Sequence, residues 1–191
     1  YNQQVARSLR FRSSNSAYLS RTPGSASNRN TFTWSGWIKN VKDMMIFTAG
    51  TGTTLIEQFG VNNDALTFAS YTTATSYSIY VYTNAVFRDP SAWYHVVLAV
   101  DTTQATSSNR VKIYVNGTQQ TLNSSSYGGY GSQNYNCFIN STYEHDIGRY
   151  VGYSAYSNGY KAEVNFIDGQ ALTPSSFGQY NSDNIWVPKS Y

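Results

Sequence analysis

The sequence predicts an all-β protein, a two-sheet antiparallel β-sandwich, and three observations support this prediction. Runs with the period-two alternation of strands recur along the chain, with turn residues between them. Helix signals are nearly absent. Hydrophobic residues make up 40% of the 191 residues and charged residues only 12%, with 18 Tyr, 9 Phe and 4 Trp. This composition is too aromatic for a disordered chain, and the length is sufficient to bury a core.

The strand-like runs lie, in chain order, near residues 7–12, 16–20, 31–39, 44–49, 54–61, 65–71, 76–83, 93–101, 110–116, 118–122, 137–140, 144–148 and 160–167. The best helical signal is a single turn that Thr173 caps and Pro174 begins. No linker, composition break or internal repeat interrupts the series, so residues 1–191 are expected to form a single domain. Because the chain begins at Tyr1 rather than Met, we expect a processed product or a fragment of a longer protein.

Two of these runs are predicted to anchor the core. Their core-facing sides are Phe32, Trp34, Gly36 and Ile38 in the run 31–39, and Ala162, Val164 and Phe166 in the run 160–167. Gly36 in mid-strand predicts that a large side chain, for example from the facing sheet, crosses above it. Two sheets that bury such faces against each other form a core about 10 Å thick.

A hairpin is predicted in the middle of the chain. Its strands are 93–101 and 110–116, both with alternating apolar residues, and the polar loop 102–109 connects them. Asn116-Gly117 can adopt the positive φ values of a tight turn, which begins a further short strand at 118–122.

This hairpin, through the motifs W-Y-H-V-V-x-x-x-D and K-I-Y-V-N-G, resembles the central hairpin of laminin-G-like, concanavalin A-like jelly-roll domains. Leu9–Ser20 resembles the first hairpin of that fold, and Phe32–Lys39 resembles the core strand that follows. Gly159–Thr173 resembles the closing strand and its short turn. These segments stand in the expected order, so the resemblance implies a jelly roll.

Two further segments resemble a narrower group. Ala162–Gly178 and the tail Ile185–Tyr191 are similar to laminin-G-like domains in virion structural proteins of tailed bacteriophages, especially marine ones. The resemblance implies a protein of the virion surface, hence extracellular, in a tail fibre, a head fibre or a capsid decoration. Its partners would be other virion proteins.

Charge and apolar patterning argue against two classes of partner. The net charge is +3, and the basic residues are scattered apart from a loose set at Arg7, Arg10, Arg12 and Arg21. Nucleic-acid binding normally requires a concentrated basic stripe, so no nucleic acid is expected. No apolar run approaches membrane-spanning length, so no membrane insertion is expected. The lone cysteine, Cys137, is predicted to be a small apolar strand residue.

Catalysis has little support in the sequence, and no catalytic residue is predicted. His95 lies inside a predicted strand, and no motif places a Ser or Cys nucleophile beside it or beside His145. Glycosidases on related jelly rolls use two facing carboxylates, whereas the only glutamates are Glu57, Glu144 and Glu163. A non-enzymatic protein is therefore predicted, with a glycan depolymerase as the third hypothesis.

No metal site or cofactor is predicted, and calcium is the weak alternative. Asn62-Asn63-Asp64 and His145-Asp146 offer oxygen ligands, but calcium takes six to eight and no dense carboxylate loop is present. The sequence favours a simple turn at Asn62-Asn63-Asp64, since Asn and Asp tolerate a left-handed backbone.

The tyrosine-rich segments 124–136 and 149–160 are the best candidates for a binding surface, because Tyr offers rigid amphipathic area at low entropic cost. The candidate residues for ligand binding or assembly contact are Tyr127, Tyr130, Tyr135, Tyr150, Tyr153 and Tyr156. The run 76–82 is predicted as a strand with one tyrosine face. Tyr serves glycan contact and subunit contact equally well, so both interpretations stay open.

The sequence thus predicts adhesion to host-surface carbohydrate through the tyrosine-rich loops. The second hypothesis is a purely structural subunit, in which the same tyrosines contact other virion proteins or other copies of the chain in a homo-oligomer.

Overall fold

The computed structural model describes residues 7–40, 42, 44–52, 54–73, 75–125 and 128–191, and it confirms the all-β prediction. Two antiparallel sheets pack face to face as a jelly-roll sandwich. Among the described residues, the helices are single 3₁₀ turns at Ser13–Asn15, Ser107–Asn109 and Pro174–Ser176. The last of these is the turn predicted from Thr173 and Pro174.

The strands, in chain order, are β1 (Leu9–Phe11), β2 (Leu19–Arg21), β3 (Thr31–Lys39), β4 (Met45–Gly50), β5 (Ile56–Asn62), β6 (Ala65–Tyr71), β7 (Tyr77–Thr83), β8 (Trp93–Asp101), β9 (Val111–Val115), β10 (Thr118–Gln119), β11 (Leu122–Ser124), β12 (Glu144–Ile147), β13 (Gly159–Asp168), β14 (Gly178–Tyr180) and β15 (Trp186–Pro188). The six-stranded sheet has the order β1-β13-β3-β8-β9-β10, and the seven-stranded sheet has the order β11-β7-β6-β5-β4-β12-β2. β14 and β15 form a separate hairpin.

The core between the sheets contains the aromatic face predicted for β3. Phe32, Trp34 and Ile38 are buried there, and the ring of Trp34 meets the ring of Phe59 on β5 edge-on, with centroids 5.7 Å apart. Gly36 does lie beneath a large side chain, but this is the Trp34 ring of its own strand rather than a residue of the facing sheet. A Cβ on Gly36 would lie 2.6 Å from Cη2 of Trp34.

The core face predicted for β13 is correct only at Phe166, which pairs with Trp34, because a β-bulge interrupts the strand. Against β3, Ala162 pairs with Trp37 and Asn165 pairs with Ser35, so two residues of β13 face a single residue between these pairs. Glu163, inside the bulge, adopts a φ of 48°. The extra residue reverses the alternation of inward and outward side chains along the strand.

The reversed alternation changes which residues of β13 face the core. Lys161 points inward and is buried beside Phe11, although the period-two pattern assigns it to the outer face. Phe166 faces the core side as predicted and contacts Phe32, but it lies at the open edge of the sandwich and is 36% exposed. Val164 is also partly exposed instead of lying in the core.

The strand predicted at 137–140 is wrong, since this segment is a buried loop. Cys137 and Ile139 do pack in the core, which explains the strand-like apolar pattern. Their backbone N–H groups donate to the carbonyl of Arg29 and to Oε2 of Glu57, at 2.9 Å each, rather than to a neighbouring strand.

The strand predicted at 118–122 is in fact two short strands in different sheets. β10 pairs with β9 in the six-stranded sheet, whereas β11 pairs with β7 in the seven-stranded sheet. The chain therefore crosses between the sheets after Gln119. The tight turn before β10 is confirmed, with φ values of 47° at Asn116 and 82° at Gly117.

The hairpin β14–β15, which the sequence pattern does not reveal, covers the outer face of the six-stranded sheet. A second apolar cluster lies beneath it, formed by Val97, Ala99, Tyr114 and Phe177. The indole of Trp186 closes over Gly117, where an added Cβ would lie 2.6 Å from the ring. The described part of this sheet thus buries apolar side chains on both faces, with Ser35 and His95 among the polar residues of the outer face.

Candidate functional site

The outer face of the seven-stranded sheet bears a continuous row of six tyrosines, which we call the tyrosine ladder. Its members, in spatial order, are Tyr82, Tyr80, Tyr77, Tyr71, Tyr150 and Tyr153. From the first ring to the fourth, neighbouring centroids are 6.0, 4.9 and 4.6 Å apart. The last two rings are 5.1 Å apart, and Tyr71 and Tyr150 lie close enough for each to affect the pKa of the other.

The strand β7 supplies half of this ladder. Ile79 and Val81 face the core, so Tyr80 and Tyr82 face outward, which confirms the tyrosine face predicted for 76–82. A register shift against β6 then brings Tyr77 opposite Tyr71. This bulge turns Tyr77 to the outer face, although strict alternation would turn it inward.

The loop 149–156 contributes Tyr150 and Tyr153, the other end of the ladder. It lies across β4, where Oγ1 of Thr48 donates to the carbonyl of Arg149 at 2.9 Å and accepts from the N–H of Val151 at 3.3 Å. Gly152 sits against the backbone of Gly52, with no space for a Cβ between them. These contacts fix the loop beside the sheet and hold its tyrosines next to Tyr71.

A groove of about 500 Å³ opens at the Tyr82 end of the ladder. Its polar lining consists mainly of amides and hydroxyls, among them Asn62, Asn63, Thr67, Asn84 and Asn123. No residue that lines this ladder groove carries a charge. The combination of aromatic faces with neutral donors and acceptors suits a neutral ligand rich in hydroxyl groups.

Burial raises the pKa of three ladder hydroxyls, those of Tyr71, Tyr80 and Tyr150, so these three remain protonated over a wide pH range. Burial, and then the neighbouring tyrosines, raise the pKa of Tyr71 well above its usual range. Burial, followed by the nearby Tyr153 and Tyr77, raises the pKa of Tyr150 to about 12. Nε2 of Gln58 donates to the Tyr71 hydroxyl at 2.9 Å. Tyr71, Tyr80 and Tyr150 therefore present neutral O–H groups that both donate and accept.

The six candidate tyrosines do not lie together. Tyr150 and Tyr153 belong to the ladder, whereas the ring of Tyr156 contacts that of Tyr18, with centroids 5.9 Å apart. Tyr135 packs against the core, and its hydroxyl lies 2.8 Å from Oγ of Ser70.

The two remaining candidates are Tyr127 and Tyr130. Tyr130 packs partly buried against the core, at a separate groove formed with Gln120 and Leu122. Tyr127 lies outside the described residues.

The sequence reasoning missed Tyr71 and the amides of the groove as members of one site. Tyr71 ends β6, and Asn62 and Asn84 border turns. In the sequence, each of them therefore looks like an ordinary strand end or turn residue with no link to the others. The available signal was the tyrosine face of β7, because residues paired across neighbouring strands share a face.

The three glutamates lie in three different environments, and none of them lines the ladder groove. Glu57 is fully buried between the sheets. Glu144 accepts from Nη2 of Arg149 at 2.5 Å. Glu163 is exposed inside the bulge of β13. The facing pair of carboxylates that a glycosidase uses is not assembled from these side chains.

His95 and Ser35 are in contact, but the histidine does not activate the serine. Nε2 of His95 is 3.0 Å from Oγ of Ser35, and Nδ1 is 3.0 Å from Nε1 of Trp186. An indole nitrogen only donates, so Nδ1 must accept and the proton of the neutral ring resides on Nε2. Burial lowers the pKa of His95 to about 4, which keeps the ring neutral. Nε2 therefore donates and cannot remove the serine proton.

The two segments considered for calcium have protein partners. Asp64 pairs with Arg88 at 2.6 Å, and Asp146 pairs with Arg149 at 2.7 Å. Asn63 and Asp64 have φ values of 48° and 65°, which confirms the predicted turn. The described residues contain no group of three or more His, Cys, Asp or Glu that could hold a metal ion. No helix among them is long and apolar enough to cross a membrane.

Comparison with known proteins gives a family match over most of the chain. A family model described as the concanavalin A-like lectin/glucanases superfamily matches residues 13–176. No curated protein matches the chain.

Three solved structures illustrate the likeness in fold. Domain 4 of AbnA, an extracellular arabinanase from Geobacillus stearothermophilus, in complex with arabinotriose, is similar with a TM-score of 0.56 and 19% identity, over 78% of this chain and 65% of that chain. Mouse laminin α1 domains LG4-5 are similar with a TM-score of 0.56 and 13% identity, over 91% of this chain and 45% of that chain. The heptameric SAP-like pentraxin of Limulus polyphemus is similar with a TM-score of 0.52 and 17% identity, over 83% of this chain and 72% of that chain. This chain thus spans less than two thirds of the first two.

Proposed function

Because the chain belongs to the concanavalin A-like lectin/glucanases superfamily, we propose that it is a non-enzymatic adhesion protein that binds a neutral carbohydrate chain along the tyrosine ladder. The observation that carries this proposal is the continuity of six tyrosines with an uncharged groove of amides and hydroxyls. The binding surface is the outer face of the seven-stranded sheet.

The chemistry of the ladder fits the two kinds of surface on a sugar. Tyr80 and Tyr82 offer apolar ring area for the C–H faces of sugar rings, while Asn62 and Asn84 offer donors and acceptors for the hydroxyls. Because the residues that line the groove are uncharged, a neutral sugar leaves no buried charge unpaired, whereas a carboxylated or sulfated sugar finds no counter-charge there. The arabinanase domain with the same fold was solved with a neutral sugar, arabinotriose, which supports this class of ligand.

We also propose that the chain acts extracellularly at the surface of a virion, as part of a tail fibre, a head fibre or a capsid decoration. The resemblance of 162–178 and 185–191 to laminin-G-like domains of tailed bacteriophages supports this location. Immunogold labelling of intact particles with an antibody against the purified chain tests it. Gold on the particle surface is expected, and particles without label would contradict the location.

The binding proposal is tested by removing single rings of the ladder. A glycan array that contains neutral and charged oligosaccharides, arabinotriose among them, identifies a ligand, and calorimetry then measures its affinity. Tyr80→Ala and Tyr82→Ala are each expected to weaken binding about tenfold, which corresponds to about 1.4 kcal/mol. Tyr180→Ala is the matched control, since Tyr180 is an exposed tyrosine on β14, away from the ladder.

Two results would contradict the proposal. One is an array on which no neutral glycan binds. The other is a ligand whose affinity falls as much in the Tyr180→Ala control as in the two ladder variants. Thermal unfolding of each variant separates lost binding from lost structure, and the ladder variants are expected to stay folded because both rings lie outside the core.

A further inference from the structure

The bulge in β13 places a charged group inside the sandwich. Lys161 pairs with Leu9 of β1 and with Ile38 of β3, a member of the core. The Lys161 side chain is 2% exposed, and its Nζ has no hydrogen-bond partner among the described residues. Lysine is rarely buried without a partner, because the ammonium loses its hydration.

The surroundings of Lys161 satisfy its charge only in part. Nζ lies 4.2 Å from the ring centroid of Phe11, over the face of the ring. A cation over an aromatic face is attracted to it, but the ring accepts no strong hydrogen bond. Burial lowers the pKa of Lys161 to about 7, so that a substantial fraction of the amine is neutral near neutral pH.

An apolar groove of about 390 Å³ adjoins this amine at the open edge between the two sheets, and we call it the seam groove. Lys161 is one of its lining residues. Its apolar lining includes Leu9, Phe11, Leu19, Ile147 and Val164. Leu9 and Leu19, on the edge strands β1 and β2, are 50% and 51% exposed. The seam groove shares no lining residue with the ladder groove.

We propose that the seam groove binds a small amphiphile, a carboxylate on a linear apolar chain, whose headgroup pairs with Lys161. The carboxylate supplies the hydrogen bonds that Nζ lacks, and the chain covers the exposed faces of Leu9 and Leu19. Nζ has less than 1 Å² of exposed surface, so the headgroup reaches it when the lining side chains move aside. This second site is independent of carbohydrate binding.

The proposal is tested with octanoate and with octan-1-ol, which has the same chain length without the charge. Calorimetry measures both probes on the full chain and on two variants. Lys161→Met removes the amine and keeps an unbranched side chain of similar volume, and Lys112→Met on β9 is the matched control. Octanoate is expected to bind Lys161→Met at least tenfold more weakly than wild type or Lys112→Met, whereas octan-1-ol binds all three alike.

A pH series on wild type gives a second readout that needs no variant to fold. The octanoate affinity of wild type is expected to fall at least tenfold between about pH 6 and about pH 9, as the amine loses its proton. Arg7 and Glu163 are the other charged residues of the lining, and both remain in Lys161→Met. Any pH dependence of octanoate affinity that wild type shows and Lys161→Met lacks is therefore due to the titration of Lys161.

Three outcomes would overturn the proposal. The first is octanoate binding no tighter than octan-1-ol to wild type. The second is equal octanoate affinity in wild type and Lys161→Met. The third is a wild-type pH profile as flat as that of Lys161→Met. Lys161→Met is expected to melt at or above the temperature of wild type, since a buried unpaired charge is replaced by an apolar group.

Discussion

Glu57 and His95 are two titratable residues whose pKa values burial shifts in opposite directions. Glu57 lies between the sheets, and burial raises its pKa to about 7, although the N–H of Ile139 donates to its Oε2. His95 lies under the β14–β15 hairpin, and burial lowers its pKa to about 4. In both cases burial favours the neutral form.

These two shifts predict how stability depends on pH. The contribution of Glu57 is fully present below its ordinary pKa of 4.5 and is lost as the pH rises to about 7. The contribution of His95 is present above its ordinary pKa of 6.5 and is lost as the pH falls to about 4. Between pH 4.5 and 6.5 the two slopes oppose each other, so together they leave the free energy of unfolding nearly flat.

Glu57→Gln is expected to reveal the slope that His95 produces, to which His145 adds in the same direction because burial lowers its pKa as well. In this variant the free energy of unfolding should fall by about 2 kcal/mol as the pH drops from about 6.5 to about 4.5, because the unfolded state binds the extra proton. Urea denaturation at intervals of pH measures it. Glu163→Gln, which removes an exposed carboxylate, should keep the wild-type profile. A profile of Glu57→Gln as flat as that of wild type would contradict the assignment.

At the residue scale, the sequence predicts side chains that follow regular alternation and fails where alternation breaks. Phe32 and Trp34 face the core as predicted, because β3 is regular through all its pairs with β8. The burial of Lys161 between the sheets could not be predicted, since no residue near Glu163 in the sequence indicates a β-bulge. Its burial depends on pairing with β3, a long-range contact.

At the element scale, the hairpin β14–β15 depends on one side chain. The indole of Trp186 packs on Gly117 and donates to Nδ1 of His95 at 3.0 Å. Its ring also contacts Tyr180 within the hairpin, with centroids 5.0 Å apart. Packing and hydrogen bonding thus make separate contributions to the same contact.

Two substitutions of Trp186 are expected to separate these contributions. Trp186→Phe keeps most of the ring but leaves Nδ1 of His95 without a donor, at a cost of about 1–2 kcal/mol of unfolding free energy. Trp186→Ala also removes the packing and should cost about 3 kcal/mol or more. Urea denaturation measures both variants. Equal losses would show that the packing contributes nothing.

The loop 149–156 gives a second prediction at this scale. Gly152 has a φ of 75° and meets the backbone of Gly52, so Gly152→Ala must lift the loop from β4. We expect ligand affinity to fall at least tenfold because Tyr150 and Tyr153 leave the ladder, while the core stays folded. Calorimetry and thermal unfolding check the two parts.

The control for this variant is Gly24→Ala, because a Cβ on Gly24 has no heavy atom within 4 Å. This variant should retain both the affinity and the melting temperature of wild type. Retention of full affinity in Gly152→Ala would argue against a role for the loop in the ladder.

The elements of the ladder were predictable in part. Alternation in β7 predicts the outward positions of Tyr80 and Tyr82, and the composition of 149–160 points to Tyr150 and Tyr153. The same composition in 124–136 points equally to Tyr130 and Tyr135, which instead pack against the core. Composition indicates which residue type can bind a ligand, but the path of a loop decides which way it faces.

At the scale of the whole molecule, the uncharged ladder groove predicts an affinity that salt does not change. The net charge of +3 is scattered, and none of the residues that line the groove is charged. The affinity for a neutral glycan should therefore vary less than about twofold between about 0.05 and 0.5 M NaCl, because no ion pair is screened. Calorimetry across this salt series measures it. A steep fall in affinity with rising NaCl concentration would indicate a charged ligand instead.

Oligomerisation is the other property of the whole molecule that remains a prediction. Light scattering over a dilution series measures the mass in solution. A stable oligomer that Tyr80→Ala weakens would favour subunit assembly through the ladder. A monomer would leave the ladder exposed for a glycan.

The overall architecture was the most predictable level. Motifs in their expected order indicate the jelly roll, and the two sheets confirm it. The division of 118–124 between the sheets was not predictable, because two residues of β10 and three of β11 look like one short strand. Which sheet a short strand joins is decided by its partners, β9 and β7.

The pairing of edge strands at the seam has a consequence for synthesis on the ribosome. β1 pairs with β13, and β2 pairs with β12, so each early strand awaits a partner translated more than a hundred residues later. Contacts so distant along the chain form slowly, and edges without a partner attract other chains. The ribosome must synthesise the chain from β2 to β12 before β2 can pair. During this interval the unpaired edge can bind a neighbouring nascent chain.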